Sequence, residues 1–157
     1  MKEFEYKTEQ FLPIHIQTAW DFFSSPDNLS LLTPKDMDFT VLTELNSHIY
    51  NNMIIDYTVS PLLNIPLKWK TKILDVDDKV EFTDIQLKGP FKKWKHVHQF
   101  VQIDEGVLVK DIVQYQLPFG IIGQFVHSLV VKKRIEDIFS YRKKVLARLF
   151  KKQNGTT

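Results

Sequence analysis

The chain has no cysteine, which excludes a disulfide framework, thiolate zinc sites and thiol catalysis. Glycine and proline are sparse, 5 and 7 among 157 residues, so collagen-like and low-complexity scaffolds are excluded. With 43% hydrophobic and 25% charged residues, wholesale disorder is excluded too. An excess of one charge is also lacking: Lys plus Arg number 21 and Asp plus Glu 19, a net charge of +2. A dedicated nucleic-acid binder carries a strong basic excess, so no nucleic-acid partner is expected. No run approaches the roughly 18 apolar residues of a membrane-spanning helix. The N-terminal stretch MKEFEYKTEQ carries charge where a signal peptide is apolar, and the expectation is a soluble cytoplasmic protein. The length suits one domain with a sizeable core, expected over residues 1–150 and followed by a flexible tail at 151–157.

What the chain has in plenty is aromatic residues, 13% of the total with Phe at 12. Such a bias in a small chain implies either dense packing or a wide cavity lined with rings.

Hydrophobic periodicity orders the elements. Phe4 to Leu12 alternates (Phe4, Tyr6, then a break, then Phe11) and reads as a strand. His15 to Phe23 shifts to helical spacing through Ile16, Ala19, Trp20 and Phe23, and Pro26 opens a second short helix through Leu32. Six β-type runs follow: Phe39–Leu45, Met53–Ser60, Leu67–Val76, Val80–Leu87, Lys93–Ile103 and Val107–Leu117. Their short separators suit hairpins, hence an antiparallel meander. After Pro118-Phe119-Gly120, an amphipathic stretch from about Ile122 to Phe150 reads as a helix of about 43 Å. Its apolar side is marked by Phe125, Leu129, Ile135, Ile138, Phe139, Val145, Leu146 and Leu149.

Alternation also assigns faces to the strands. Lysine is almost never fully buried unpaired, so the faces bearing Lys68, Lys70, Lys72, Lys93, Lys95 and Lys110 are outward. The inner faces then carry Trp69, Thr71 and Ile73; Phe82, Asp84 and Gln86; Trp94, His96, His98 and Phe100; and Val109, Asp111, Val113 and Tyr115. Counting across hairpins predicts the rows Thr71–Asp84–His96–Val113, Trp69–Gln86–Trp94–Tyr115 and Ile73–Phe82–His98–Asp111. Asp84 then meets His96, and Asp111 meets His98. That many buried polar groups without partners would cost about 1–3 kcal/mol each, so this face reads as the polar floor of a cavity.

The order of elements resembles the helix-grip fold of the START/polyketide-cyclase-like (SRPBCC) superfamily. The stretches Ser25-Pro26-Asp27-Asn28-Leu29, Leu32-Thr33-Pro34, the block from Phe82 to Phe100 and Pro118-Phe119-Gly120 resemble a stand-alone bacterial branch of it. The resemblance implies an α+β domain. Its seven-stranded antiparallel sheet wraps around a long C-terminal helix, with two short helices between strands 1 and 2. It further implies binding of small hydrophobic or amphipathic molecules, with catalysis in some branches.

Four uses of the polar face compete, one of them a purely structural polar network in a filled core, as in an interaction domain without an accessible cavity. Two imidazoles and two carboxylates could form a metal site, but histidines oriented by neighbouring Asp residues need no metal, and neither a metal nor a cofactor is expected. His96, His98, Asp84 and Asp111 could instead form acid/base pairs for cyclase- or dehydratase-type chemistry. The reading adopted is a pocket for a small hydrophobic ligand of lipid, polyketide or aromatic type. Its expected lining is Trp69, Phe82, Gln86, Trp94, Phe100 and Tyr115, with Trp20 and Phe23 near the entrance. The basic clusters Lys132-Lys133-Arg134 and Arg142-Lys143-Lys144 could attract a membrane surface or an anionic headgroup. The expectation is that they form the solvated face of a packed helix.

Overall fold

The computed structural model describes residues 2–44, 46–61, 64–118 and 130–151. Strict alternation of side chains gives seven strands in one antiparallel sheet, in the order β1-β7-β6-β5-β4-β3-β2. They are β1 (Phe4–Leu12), β2 (Thr40–Val41), β3 (Ile54–Val59), β4 (Leu67–Asp77), β5 (Glu81–Lys88), β6 (Lys93–Ile103) and β7 (Gly106–Gln116). From β2 to β7 each strand pairs with the next, as the short separators predict. β1 then lies against β7, from Phe4↔Tyr115 to Leu12↔Val107. Helix α1 (Ile16–Phe23) follows β1, and a 3-10 turn at Pro26–Asn28 runs into α2 (Leu29–Leu32). The C-terminal helix α3 spans Lys132–Leu149. This is the α+β helix-grip architecture that the sequence predicts.

Several boundaries differ from the sequence reading. Inner β1 residues are Phe4, Tyr6, Thr8, Gln10 and Leu12, while Phe11 is 45% exposed on the outer face. The expected strand Phe39–Leu45 shrinks to Thr40–Val41. It starts after Asp38, whose φ of 44° turns the chain, and the ladder ends where the Thr43 hydroxyl replaces a carbonyl in accepting from Asp56 N–H. Of the long helix, segment 122–129 with Phe125 and Leu129 lies outside the described residues, as do Leu45, Phe119, Gly120 and 152–157 of the expected tail. Leu149, expected on the apolar side, is 51% exposed.

The β4–β5 register is also corrected. Thr71 pairs with Gln86 and Ile73 with Asp84, a slip of two residues from the predicted rows. The cause is local: Asp75, at φ 53°, sits in a bulge between Leu74 and Asp77, and β4 runs on to pair Asp77 with Glu81. A slip of two preserves the face, so the inner residues stay inner. The β5–β6 and β6–β7 registers match the predicted rows, with Asp84↔His96, Phe82↔His98, His96↔Val113 and His98↔Asp111.

Among the described residues, two of the four apolar clusters between the sheet and its helices flank the site. One gathers Leu12, Trp20, Phe23, Phe82, Phe100, Val109 and Leu146, the other Val113, Tyr115, Val131, Ile135 and Phe139. Each fully buried large side chain contributes about 1.5–3 kcal/mol. Between these cores, the same strands and helix place Asp84, His96, His98, Asp111 and Arg142.

Candidate functional site

Sheet and α3 enclose a cavity of about 600 Å³, its wall mostly apolar and aromatic. Trp69, Phe82 and Trp94 stand on its wall, and so does Phe23 from α1. The other expected lining residues serve elsewhere. Phe100 is buried in the first core, with Trp20 packed edge-on against it at 5.6 Å between ring centroids. Tyr115 packs against Phe4, Phe91 and Trp94 in the second core. Gln86 pins the β5–β6 turn, donating through Nε2 to Phe91 O at 2.6 Å and accepting from Phe91 N–H at 3.2 Å. That closure needs glycine at position 89, where a Cβ would run into the Gln86 amide. The lining also includes Tyr57, which alternates with Ile55 and Val59 along β3, and Ile135, Ile138, Phe139 and Arg142 of α3.

At one wall the polar side chains form a ring. His96 Nε2 lies 2.9 Å from Asp111 Oδ1, and His98 Nε2 lies 2.9 Å from Asp84 Oδ2. The other ring nitrogens reach the opposite carboxylates, His96 Nδ1 to Asp84 at 3.4 Å and His98 Nδ1 to Asp111 at 3.2 Å. Each imidazole thus bridges both acids. The shortest contacts run diagonally rather than to the directly opposed residue, which corrects the predicted pairing. Long side chains on one face reach diagonal neighbours readily, and here the two imidazoles lie against each other with centroids 3.7 Å apart. Phe82 stacks on His98 at 4.2 Å and Phe139 meets His96 edge-on, so each imidazole has an aromatic neighbour.

Arg142 completes the cluster, and sequence reasoning missed it. Its Nη2 lies 3.3 Å from Asp111 Oδ1, its side chain is only 11% exposed, and its guanidinium sits 5.2 Å from the Phe23 ring centroid. The signal was present: Ile135, Phe139 and Leu146 form the buried stripe of α3, and position 142 falls on that stripe at i, i+4, i+7 and i+11. Arg134, likewise expected on the solvated face, is held by Pro61 O at 2.8 Å and Asp36 at 2.9 Å. Lys132 and Lys133 do face solvent, beside Glu136 and Asp137 one turn on.

Electrostatics follow from the ring. Burial pushes the Asp111 carboxyl up, but the charge of Arg142 and hydrogen bonds from His96 and His98 more than reverse this, holding it well below the usual range. Burial likewise raises Asp84, and the His98 hydrogen bond, both imidazoles and Trp94 bring it below its ordinary value. For His96, burial and the adjacent His98 favour the neutral ring and lower its pKa. For His98, burial works the same way, yet hydrogen bonds to Asp111 and Asp84 prevail and raise it. The surroundings thus favour the charged form at His98 and the neutral form at His96, beside two carboxylates and the Arg142 guanidinium. Tyr57, half-buried near Asp84, has its phenol pushed upward by desolvation first and that carboxylate second.

Asp84, His96 and His98 offer donor atoms within 4.8 Å of one another, enough in number for a metal. Every one of these imidazole nitrogens, however, already faces a carboxylate oxygen. The Arg142 guanidinium beside Asp111 further opposes a second cation.

No protein-family model matches the chain, and no curated protein sequence matches it significantly. Solved structures do match. A START superfamily protein from Mycobacterium smegmatis superposes with a TM-score of 0.67 at 11% identity, over 93% of this chain and 96% of that one. The ginseng major latex-like protein 151 from Panax ginseng gives 0.69 at 11% identity, over 96% and 99%. A nucleoside-diphosphate sugar epimerase from Corynebacterium glutamicum gives 0.65 at 24% identity, over 91% of this chain but 28% of that one. No described helix is long and apolar enough to cross a membrane. The chain has the START-like helix-grip fold shared by these structures.

Proposed function

We propose that the domain binds a small hydrophobic or amphipathic molecule, of lipid, polyketide or aromatic type, between the sheet and α3. The observation that carries this reading is the cavity of about 600 Å³, which is of ligand size, mostly apolar and polar at one wall. The superfamily resemblance implies the same use.

A second reading, cyclase- or dehydratase-type catalysis by His96 or His98 with Asp84 or Asp111, draws support from the position of His96, His98 and Asp84 on the cavity wall. Carriage is favoured over it. Each imidazole already spends its shortest contact, 2.9 Å from Nε2, on a carboxylate of the protein, Asp111 for His96 and Asp84 for His98. Native mass spectrometry of freshly purified protein, with extraction of any bound compound, tests the proposal. A co-purifying apolar compound of stoichiometric amount is expected. A protein that carries none and takes up no apolar dye would overturn it. Turnover of a bound compound that ceases in His98→Ala while binding persists would favour the enzyme.

A further inference from the structure

The cavity wall contains polar atoms that the fold leaves unused. Nε of Arg142 and Nε1 of Trp69 are buried without a hydrogen-bond partner, and Nη2 of Arg142 has only its ion pair to Asp111 at 3.3 Å. Both residues line the cavity, and among the described residues Arg142 makes one ion pair and two ring contacts but no hydrogen bond. An arginine and an indole offer donors only. Buried donors left unmade cost about 1–3 kcal/mol each, more for a charged group, so a ligand that supplies acceptors recovers that cost. Of the other unpartnered atoms among the described residues, Gln10 Oε1 and Ser24 Oγ belong to residues that do not line the cavity, and His98 Nδ1, on the cavity wall, faces Asp111 at 3.2 Å. The deficit facing the ligand space is therefore of acceptors.

Charge then narrows the kind of acceptor. Asp84 lines the same wall, and Asp111 lies 3.3 Å from Arg142, so the guanidinium already has its counter-ion. A carboxylate or phosphate brought to this wall would meet Asp84 with no unbalanced cation to receive it. We infer that the ligand presents an uncharged carbonyl oxygen, as in a ketone, aldehyde, ester or quinone, to Arg142 at the polar wall of the cavity. This rests on the cavity-binding reading and specifies the head of the molecule bound there. The guanidinium keeps Asp111 while turning an unused N–H to the carbonyl, and the apolar remainder of the ligand lies against Trp69, Ile135 and Phe139.

Three naphthalenes of similar size separate the possibilities: 2-acetylnaphthalene, 2-ethylnaphthalene and 2-naphthoate, titrated calorimetrically into the full-length protein. The ketone is expected to bind more tightly than the carboxylate. Arg142→Met is expected to weaken the ketone about tenfold or more, in line with a hydrogen bond to a charged group, and to leave the hydrocarbon within about twofold. Arg142→Lys, which retains the counter-ion of Asp111 with less of the donor fork, is expected to fall between and serves if the methionine variant does not fold. In infrared difference spectra of the wild type, the carbonyl stretch of bound 2-acetylnaphthalene should lie below its position in hexane. Tightest binding by 2-naphthoate, equal losses for ketone and hydrocarbon, or an unshifted carbonyl stretch would overturn the inference while leaving cavity binding intact. If none of the three compounds binds, the cavity-binding reading falls and this inference with it.

Discussion

The buried ring imposes a shape on stability as a function of pH. His98 has a raised pKa in the folded protein, so its contribution is full below the unfolded value of about 6.5 and is lost as pH rises through the folded value. His96 is held neutral, so below about pH 6.5 the unfolded chain takes up a proton that the folded protein refuses, and stability falls as pH falls. One proton's difference between the two states gives a slope of about 1.4 kcal/mol per pH unit on each side. The carboxyls of Asp84 and Asp111, both lowered, contribute above about pH 4 and weaken only below it, so they stay constant through this window. Stability should therefore peak near pH 6.5. The assay is urea unfolding followed by tryptophan fluorescence at intervals from pH 5 to 9. The informative perturbation is His96→Asn, which leaves His98 with both carboxylates and without the neighbouring ring 3.7 Å away. The acidic limb should vanish and the alkaline limb remain. A wild-type profile flat across this range, or an acidic limb that survives in His96→Asn, would refute the reasoning.

Three further outcomes are expected. Asp111→Asn and Arg142→Met should each destabilise the protein, because each leaves a buried charge facing a lost partner at 3.3 Å. Their combination should cost about 1–3 kcal/mol less than the sum of the two in thermal unfolding, and strict additivity would deny the pair any weight. Gln86→Ala removes both hydrogen bonds to Phe91 and should lower stability by about 1–3 kcal/mol, a fall in Tm of roughly 2–12 °C by calorimetry. Ile138→Trp adds bulk at a half-buried position on the cavity wall. It should weaken binding of an apolar dye about tenfold while shifting Tm by only a few degrees; unchanged binding would place the ligand elsewhere.

Much of this arrangement was legible in the sequence because strand alternation is a local property. The lysines at 93, 95 and 110 placed His96, His98 and Asp111 on the inner face, and alternation with Phe82 added Asp84, without any knowledge of the helices. The β4–β5 register was not legible, since Asp75 enters a left-handed conformation that nothing in Leu74-Asp75-Val76 announces. Which aromatics line open space was not legible either. Alternation places Phe100 and Tyr115 on the inner face, but only packing by Trp20 and Phe91 decides that they are core rather than wall. Arg142 was hidden for another reason. It stands beside Lys143 and Lys144 in a basic run, and composition outvoted periodicity.

The polar ring also bears on how the chain finds a single alignment. Its members come from β5, β6, β7 and α3, and apolar cores lie on either side. Valine, leucine and phenylalanine layers tolerate sliding, because one apolar contact resembles the next. A slide of α3 by one turn, however, carries Arg142 about 5.4 Å along the helix axis and leaves Asp111 without its cation. A two-residue slip of β6 moves both imidazoles by roughly 7 Å, away from both acids. The ring therefore acts as a combination lock: four elements must stand at one setting before all of its charges are matched. Neighbouring misalignments that the oily layers would accept are rejected by the ring.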